Sequence, residues 1–310
     1  MRKFILVVTI FLLVLLICEI ACRVLINPFY ISEDKLNNFR VKIENKTKRG
    51  GIKIAMLGDS FTYGSKVAED ETISHMLSNE LRKRINRDDV FVDNYGIPGT
   101  SSIEHYSIYK RFIANFDYDM LILNFFIDDL TPYYYFNTLV NPYKYCKDVG
   151  NSVERFIGLL NNLRSIEFAV IYFDLIKTSY KVGSAITPVS YMLQKLREKD
   201  SLRYRCAREY LKRIGVEVKN SGGHALFVLI PSLTLYDYQS PYPEEIARYE
   251  TEVLLVAEHS GFEVIDTVAE LRDILDQRLI LDNDIHYNSK GYKLIAQLIA
   301  DKVIEILNMR

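Results

Sequence analysis

The stretch Asp119-Met120-Leu121-Ile122-Leu123-Asn124-Phe125-Phe126 is apolar at all but two positions. A strand with one wet face alternates apolar and polar residues. A run without alternation needs cover on both faces. Shorter strands are predicted at 52–57, 90–93, 224–230 and 262–265. Between them lie stretches with helical spacing at 71–85, 103–116, 201–218, 244–259 and 289–307. In the first, Ile73, Met76, Leu77 and Leu81 share a face; in the last, Leu294, Ile295, Leu298, Ile299, Val303 and Ile306 do. Strand–helix alternation of this kind predicts an α/β fold: a three-layer α/β/α sandwich with a parallel, doubly wound sheet. Residues 51–310 form this domain. Residues 130–200 break the pattern and read as an insertion or lid, with helical pieces at 152–164 and 166–178.

The N-terminus belongs to another environment. Arg2 and Lys3 precede an apolar run from 4 to 18, which Glu19 interrupts and which resumes to residue 26. Its apolar length, about 18 residues, reaches the lower limit for crossing the hydrocarbon core. A cleaved signal peptide has a shorter apolar region and a small-x-small site. Cys18-Glu19-Ile20-Ala21 is a poor one, and Glu19 also spoils a lipoprotein-type site at Cys22. Residues 1–26 are therefore read as an uncleaved transmembrane signal anchor, and polar residues 27–50 as a stalk. Basic residues ahead of the run place the N-terminus inside and the remainder outside the cytoplasm, on a single-pass membrane protein.

Charge and composition exclude several classes. The net charge of -1 gives no footprint for nucleic acid. No Walker loop, dinucleotide fingerprint or zinc-type cysteine spacing occurs, and no cofactor is implied. Cys146 and Cys206 either pair in an exported domain or remain free and partly buried; the sequence leaves both open. Tyr133, Tyr134, Tyr135, Tyr143 and Tyr145 cluster in the insertion. They serve packing, or stack on sugars.

In doubly wound sheets ligands gather beyond the carboxyl ends of the strands. Ser60 follows the first strand, Gly99 the second, and Asp128 and Asp129 the third, so all converge on one rim. Gly58-Asp59-Ser60 alone is an ordinary turn tripeptide, with Asp59 a capping residue. Its weight comes from Asp284-Ile285-His286 near the other end, a carboxylate two residues from a histidine. That is the equipment a serine needs to lose its proton. His75, His105, His224 and His259 are expected on helices or the surface, and Asn288 or Ser289 caps the last helix.

Gly58-Asp59-Ser60, Asn94-Tyr95-Gly96-Ile97-Pro98-Gly99, Asp128-Asp129 and Asp284-Ile285-His286 together resemble the SGNH (GDSL-type) hydrolases, whose fold is flavodoxin-like. The apolar N-terminus ending in Glu and Arg resembles membrane-anchored bacterial members of surface polysaccharide pathways. The resemblance implies Ser60 as nucleophile and oxyanion donor, His286 as general base, Asp284 as its orienting carboxylate, and Gly99 as a second oxyanion donor. It further implies a serine esterase working through an acyl–serine, on O-acetyl or other short acyl groups of a cell-envelope carbohydrate, with hydrolysis or transfer to a sugar hydroxyl. The chain departs from the family pattern twice. Asn283 stands where the carboxylate usually lies, leaving Asp284 or, as fallback, Asp282. Asp128 replaces the asparagine that supplies a third oxyanion donor, and an ionised carboxylate has no proton to give; Asn124 is the alternative. The rival readings are a lipid-directed esterase or thioesterase, and a non-catalytic relative that binds polysaccharide or a protein partner.

Overall fold

A computed structural model describes residues 9–10, 13–14, 16–17, 50–115, 117–126, 129, 202–231, 243–271, 279–281 and 284–308. Five parallel strands make one sheet: β1 (Ile52–Gly58), β2 (Val90–Gly96), β3 (Met120–Phe126), β4 (His224–Ile230) and β5 (Glu263–Asp266). Their order is β2-β1-β3-β4-β5. The chain steps outward from β1 to β2, then crosses back over β1 to β3. Parallel crossovers are right-handed, so the two connections must lie on opposite faces. This explains why β3 has no polar alternation: all seven of its residues are buried.

The described helices are α1 (Ser60–Tyr63), α2 (Ile73–Ile85), α3 (Ser102–Ile108), α4 (Leu202–Asn220), α5 (Pro243–His259), α6 (Thr267–Leu271) and α7 (Ser289–Ile306). On one face α7 packs on α2. It buries Tyr292, Ile295, Ile299 and Val303 there, and Arg84 ion-pairs with Asp301 at the rim of the helix pair. Burying such aliphatic side chains contributes about 1.5–3 kcal/mol each. On the other face α3 meets α4. Tyr106 stacks on Tyr210 with ring centroids 4.8 Å apart, and Glu217 accepts from the Tyr106 hydroxyl at 2.8 Å. Helix α5 lies against β4 and β5.

One local feature differs from expectation. The helix expected over 103–116 is α-helical only to Ile108 and then widens into a π turn, Tyr109–Ile113, whose Ala114 amide reaches back to Tyr109. The residues after the Gly58 turn open a helix, the short α1, as their sequence allows. His105 sits on a helix, as expected, but is fully buried. Cys206 is disulfide-bonded to a cysteine outside the described residues.

The chain divides into two compact units. The second, residues 31–133 and 207–310, contains the sheet and every site residue discussed below. The first, residues 1–30 and 134–206, is described only at 9–10, 13–14, 16–17 and 202–206. The tyrosine cluster, the lid at 130–200 and most of the expected anchor lie outside the described residues. Among those described, no helix is long and apolar enough to cross a membrane.

Candidate active site

The site is built on the turn that leaves β1. The sheet order reverses between β1 and β3, and the crevice at such a reversal is where these folds bind ligands. Gly58 ends β1 where a Cβ would meet Thr62 Oγ1 at 2.2 Å and the Asn124 carbonyl at 2.8 Å. No larger residue fits beneath the turn. The Asp59 carboxylate caps α1 by accepting from the Phe61 amide at 2.9 Å.

Two buried asparagines hold this turn to the sheet. Asn94 Nδ2 donates to the Thr62 carbonyl at 2.8 Å and to Ser74 Oγ at 3.0 Å, while its Oδ1 accepts from the Gly96 amide at 2.8 Å. Asn124 Nδ2 donates to Thr62 Oγ1 at 3.0 Å. Thr62 is therefore clamped through both its carbonyl and its hydroxyl, and Ser60, two residues away, inherits that rigidity.

His286 arrives from the other end of the chain. Its loop is pinned by the Leu281 amide to the His286 carbonyl, 2.9 Å, and by the Tyr287 hydroxyl to the Pro231 carbonyl beyond β4, 2.6 Å. Asn288 caps α7, accepting from the amides of Lys290 and Gly291. His286 Nε2 lies 2.8 Å from Ser60 Oγ, and His286 Nδ1 lies 2.6 Å from Asp284 Oδ1. The Phe61 ring packs on the imidazole with centroids 4.9 Å apart. Asp284 Oδ1 also accepts from the amides of Ile285 at 2.6 Å and His286 at 3.1 Å, and Lys66 ion-pairs with Oδ2. Burial pushes the Asp284 carboxyl up, but the Lys66 ammonium and these N–H donors outweigh it and hold the group well below the usual carboxylate range. With Asp284 ionised, His286 Nδ1 carries the proton that bonds it. Nε2 is then free to accept from Ser60.

Gly99 adopts φ +74°, a left-handed conformation that favours glycine, in the loop after β2. The neighbouring Thr100 hydroxyl holds this loop, donating to the Ile97 carbonyl at 2.7 Å. His105 Nε2 is 3.1 Å from the same hydroxyl. Burial lowers the His105 pKa to about 3, so the ring is neutral; its Nε2–H donates to Thr100 and its Nδ1 has no hydrogen-bond partner among the described residues. Glu104 accepts from the Ser101 amide at 3.0 Å and from its hydroxyl at 2.5 Å.

Of the sequence candidates, Ser60, His286 and Asp284 come together in one hydrogen-bonded chain. Asn124 is buried under α1 with its amide nitrogen spent on Thr62. Asp129 turns its carboxylate back to accept from the Phe126 amide at 2.8 Å, closing the end of β3. Asp128, Asp282 and Asn283 lie outside the described residues. Sequence reasoning missed Lys66, Thr62 and His105. Among the described residues no cluster of three or more His, Cys, Asp or Glu is placed to hold a metal ion.

Residues 56–294 match the GDSL-like Lipase/Acylhydrolase family. The chain belongs to this family. Of the residues that carry its SGNH resemblance, Ser60, Asp284 and His286 build the site. The acetylxylan esterase Axe2 of Geobacillus stearothermophilus has a similar fold, with TM-score 0.51 and 12% identity over 82% of this chain and 94% of that one. A catalytic mutant of Axe2 gives 0.50 and 13%, over 83% and 96%. LAE5, an α/β hydrolase enzyme from the metagenome of Lake Arreo, Spain, gives 0.47 and 13%, over 82% and 97%. No curated protein matches this chain. At these identities the two Axe2 structures establish the fold alone, and the family match establishes the SGNH hydrolase assignment.

Proposed function

We propose that the protein is a serine esterase that cleaves O-acyl groups, O-acetyl above all, from a cell-envelope carbohydrate. The observation that carries this is the continuous chain Ser60 Oγ–His286 Nε2, His286 Nδ1–Asp284 Oδ1, at 2.8 and 2.6 Å. In that arrangement Ser60 Oγ attacks the ester carbonyl while His286 Nε2 takes its proton. Asp284 stabilises the imidazolium through Nδ1–H. The family resemblance assigns the backbone N–H groups of Ser60 and Gly99 to the developing oxyanion, where a well-aimed donor is worth roughly 3 kcal/mol. Collapse expels the alcohol, which takes the proton from Nε2 and leaves an acyl–serine. Water, or a sugar hydroxyl, then repeats the sequence with His286 as base.

The carbohydrate substrate is supported by the resemblance to anchored members of surface polysaccharide pathways. A fold-sharing relative is by name an acetylxylan esterase. The same reading places residues 1–26 in the membrane and the esterase domain outside the cytoplasm. A non-catalytic role would be favoured by a serine beyond hydrogen-bond reach of the histidine, and here the two are in contact. The test is turnover by the full-length protein of p-nitrophenyl acetate and of an O-acetylated polysaccharide. Release of acetate from both, abolished in Ser60→Ala, is expected. Turnover that survives in Ser60→Ala would overturn the nucleophile assignment, and release from the nitrophenyl ester alone would overturn the carbohydrate.

A further inference from the structure

We propose, building on the esterase reading, that Lys66 is a positioning residue: its ammonium grips the second oxygen of Asp284 and thereby sets both the carboxylate's orientation and the basicity of His286. The two carboxylate oxygens divide their partners. Oδ1 collects His286 Nδ1 and the amides of Ile285 and His286. Oδ2 takes the Lys66 ammonium. A carboxylate held at both oxygens cannot rotate about its χ2 bond, so Oδ1 stays aimed at the imidazole.

The backbone is shaped to deliver this lysine. The amides of Gly64 and Ser65 both fold back onto the Ser60 carbonyl, at 3.1 and 3.0 Å. Gly64 is left-handed at φ +76°, and Lys66 is left-handed at φ +65°. A non-glycine residue adopts that conformation at a cost, and it persists only where surrounding contacts hold it. The contact here is an ion pair spanning 218 positions of sequence, between the nucleophile's own turn and the loop of its base. The Lys66 side chain is 66% exposed and that of Asp284 only 7%. The ammonium keeps its hydration while the carboxylate it covers does not.

The electrostatic consequence has a definite sign. An unshared carboxylate would stabilise the imidazolium fully, and a cation on the same carboxylate weakens that support. Tyr292 interacts with both Asp59 and Asp284, and burial first, then those two carboxylates, raises its pKa, so it carries no charge. The Asp59 carboxylate is engaged by the Phe61 amide. Lys66 places a cation on the carboxylate that supports the imidazolium, and so weakens that support.

The experiment is an NMR titration of full-length protein labelled with 13C-histidine, as wild type, Lys66→Met and Lys66→Arg, with His286→Ala to assign the resonance. Lys66→Met is expected to raise the His286 midpoint by ~0.5–1 pH unit, the size set by an exposed, water-screened charge. Lys66→Arg keeps the charge and restores the wild-type midpoint. In parallel, the acid limb of kcat/KM for p-nitrophenyl acetate moves to higher pH in Lys66→Met, and kcat falls with KM unchanged. A His286 midpoint that stays in place in Lys66→Met overturns the proposal, whatever its activity. Absence of turnover in the wild type overturns the esterase reading instead, and the titration then still decides whether Lys66 governs His286.

Discussion

Replacing Gly96 by alanine tests how tightly the nucleophile's turn is set on the sheet. A Cβ at Gly96 would stand 2.2 Å from the Tyr63 amide nitrogen and 2.6 Å from the Thr62 carbonyl carbon. Comfortable non-bonded separation is roughly 3.5 Å. The obstructing atoms are backbone, so no side chain can swing aside. Gly96 is also fixed, since β2 is paired in register with β1 through Gly58. The turn must therefore retreat by roughly 1 Å, and a displacement of that size costs on the order of 10²-fold in rate. It would stretch the 2.8 Å contact between Ser60 and His286 beyond hydrogen-bond length. Overpacking of this kind destabilises by about 1–3 kcal/mol. The assays are kcat/KM for p-nitrophenyl acetate and the urea midpoint. A variant within threefold of wild type in kcat/KM and unchanged in midpoint would refute the claim that close backbone approach positions Ser60.

Other substitutions separate the remaining effects. Gly222→Ala is the control: its φ is +80° and nothing lies within 4 Å of a new Cβ, so a loss of about 1–2 kcal/mol by chemical denaturation with full activity is expected. Asn94→Ala leaves the Thr62 carbonyl and the Gly96 amide without their buried partner. It should cost about 2–4 kcal/mol in the same assay and lower kcat more than it raises KM. Glu104 is a buried acid whose pKa is pushed up to about 7 by burial, against hydrogen bonds from Ser101. Between the unfolded carboxylate value and that folded one the native state holds a proton the unfolded state has lost, so this group's contribution falls as pH rises through the window. Glu104→Gln should match wild type at pH ~4 and exceed it by on the order of 3 kcal/mol at pH ~8, read from urea midpoints at both.

Much of this was legible in sequence for a physical reason. The uninterrupted apolar run of β3 demands cover on both faces, and that demand alone implies helices on either side of a parallel sheet. Strand ends then placed Ser60 and Gly99 on a common rim. The partnership of Ser60 with His286 is 226 positions long, and no local pattern encodes it; only the topology does. Local chemistry narrowed the cap to Asn288 or Ser289, and it is Asn288, whose side chain serves its own neighbours. Lys66 was invisible because its role depends on a left-handed backbone and on a partner at the far end of the chain. Asn124 illustrates the limit of facing arguments. Alternation gives the side of a strand, yet Thr62 takes the amide before it reaches the rim. The π turn after Ile108 likewise has no signature in a helical apolar pattern.

The central claim is that Ser60, activated by His286 and Asp284, is a nucleophile. The most direct measurement is peptide mass spectrometry of the full-length protein after treatment with a fluorophosphonate. The account predicts one covalent adduct, on the peptide containing Ser60, lost on prior denaturation and absent in Ser60→Ala. An unmodified Ser60 under conditions that label a control serine hydrolase, or an adduct at another residue, would contradict it.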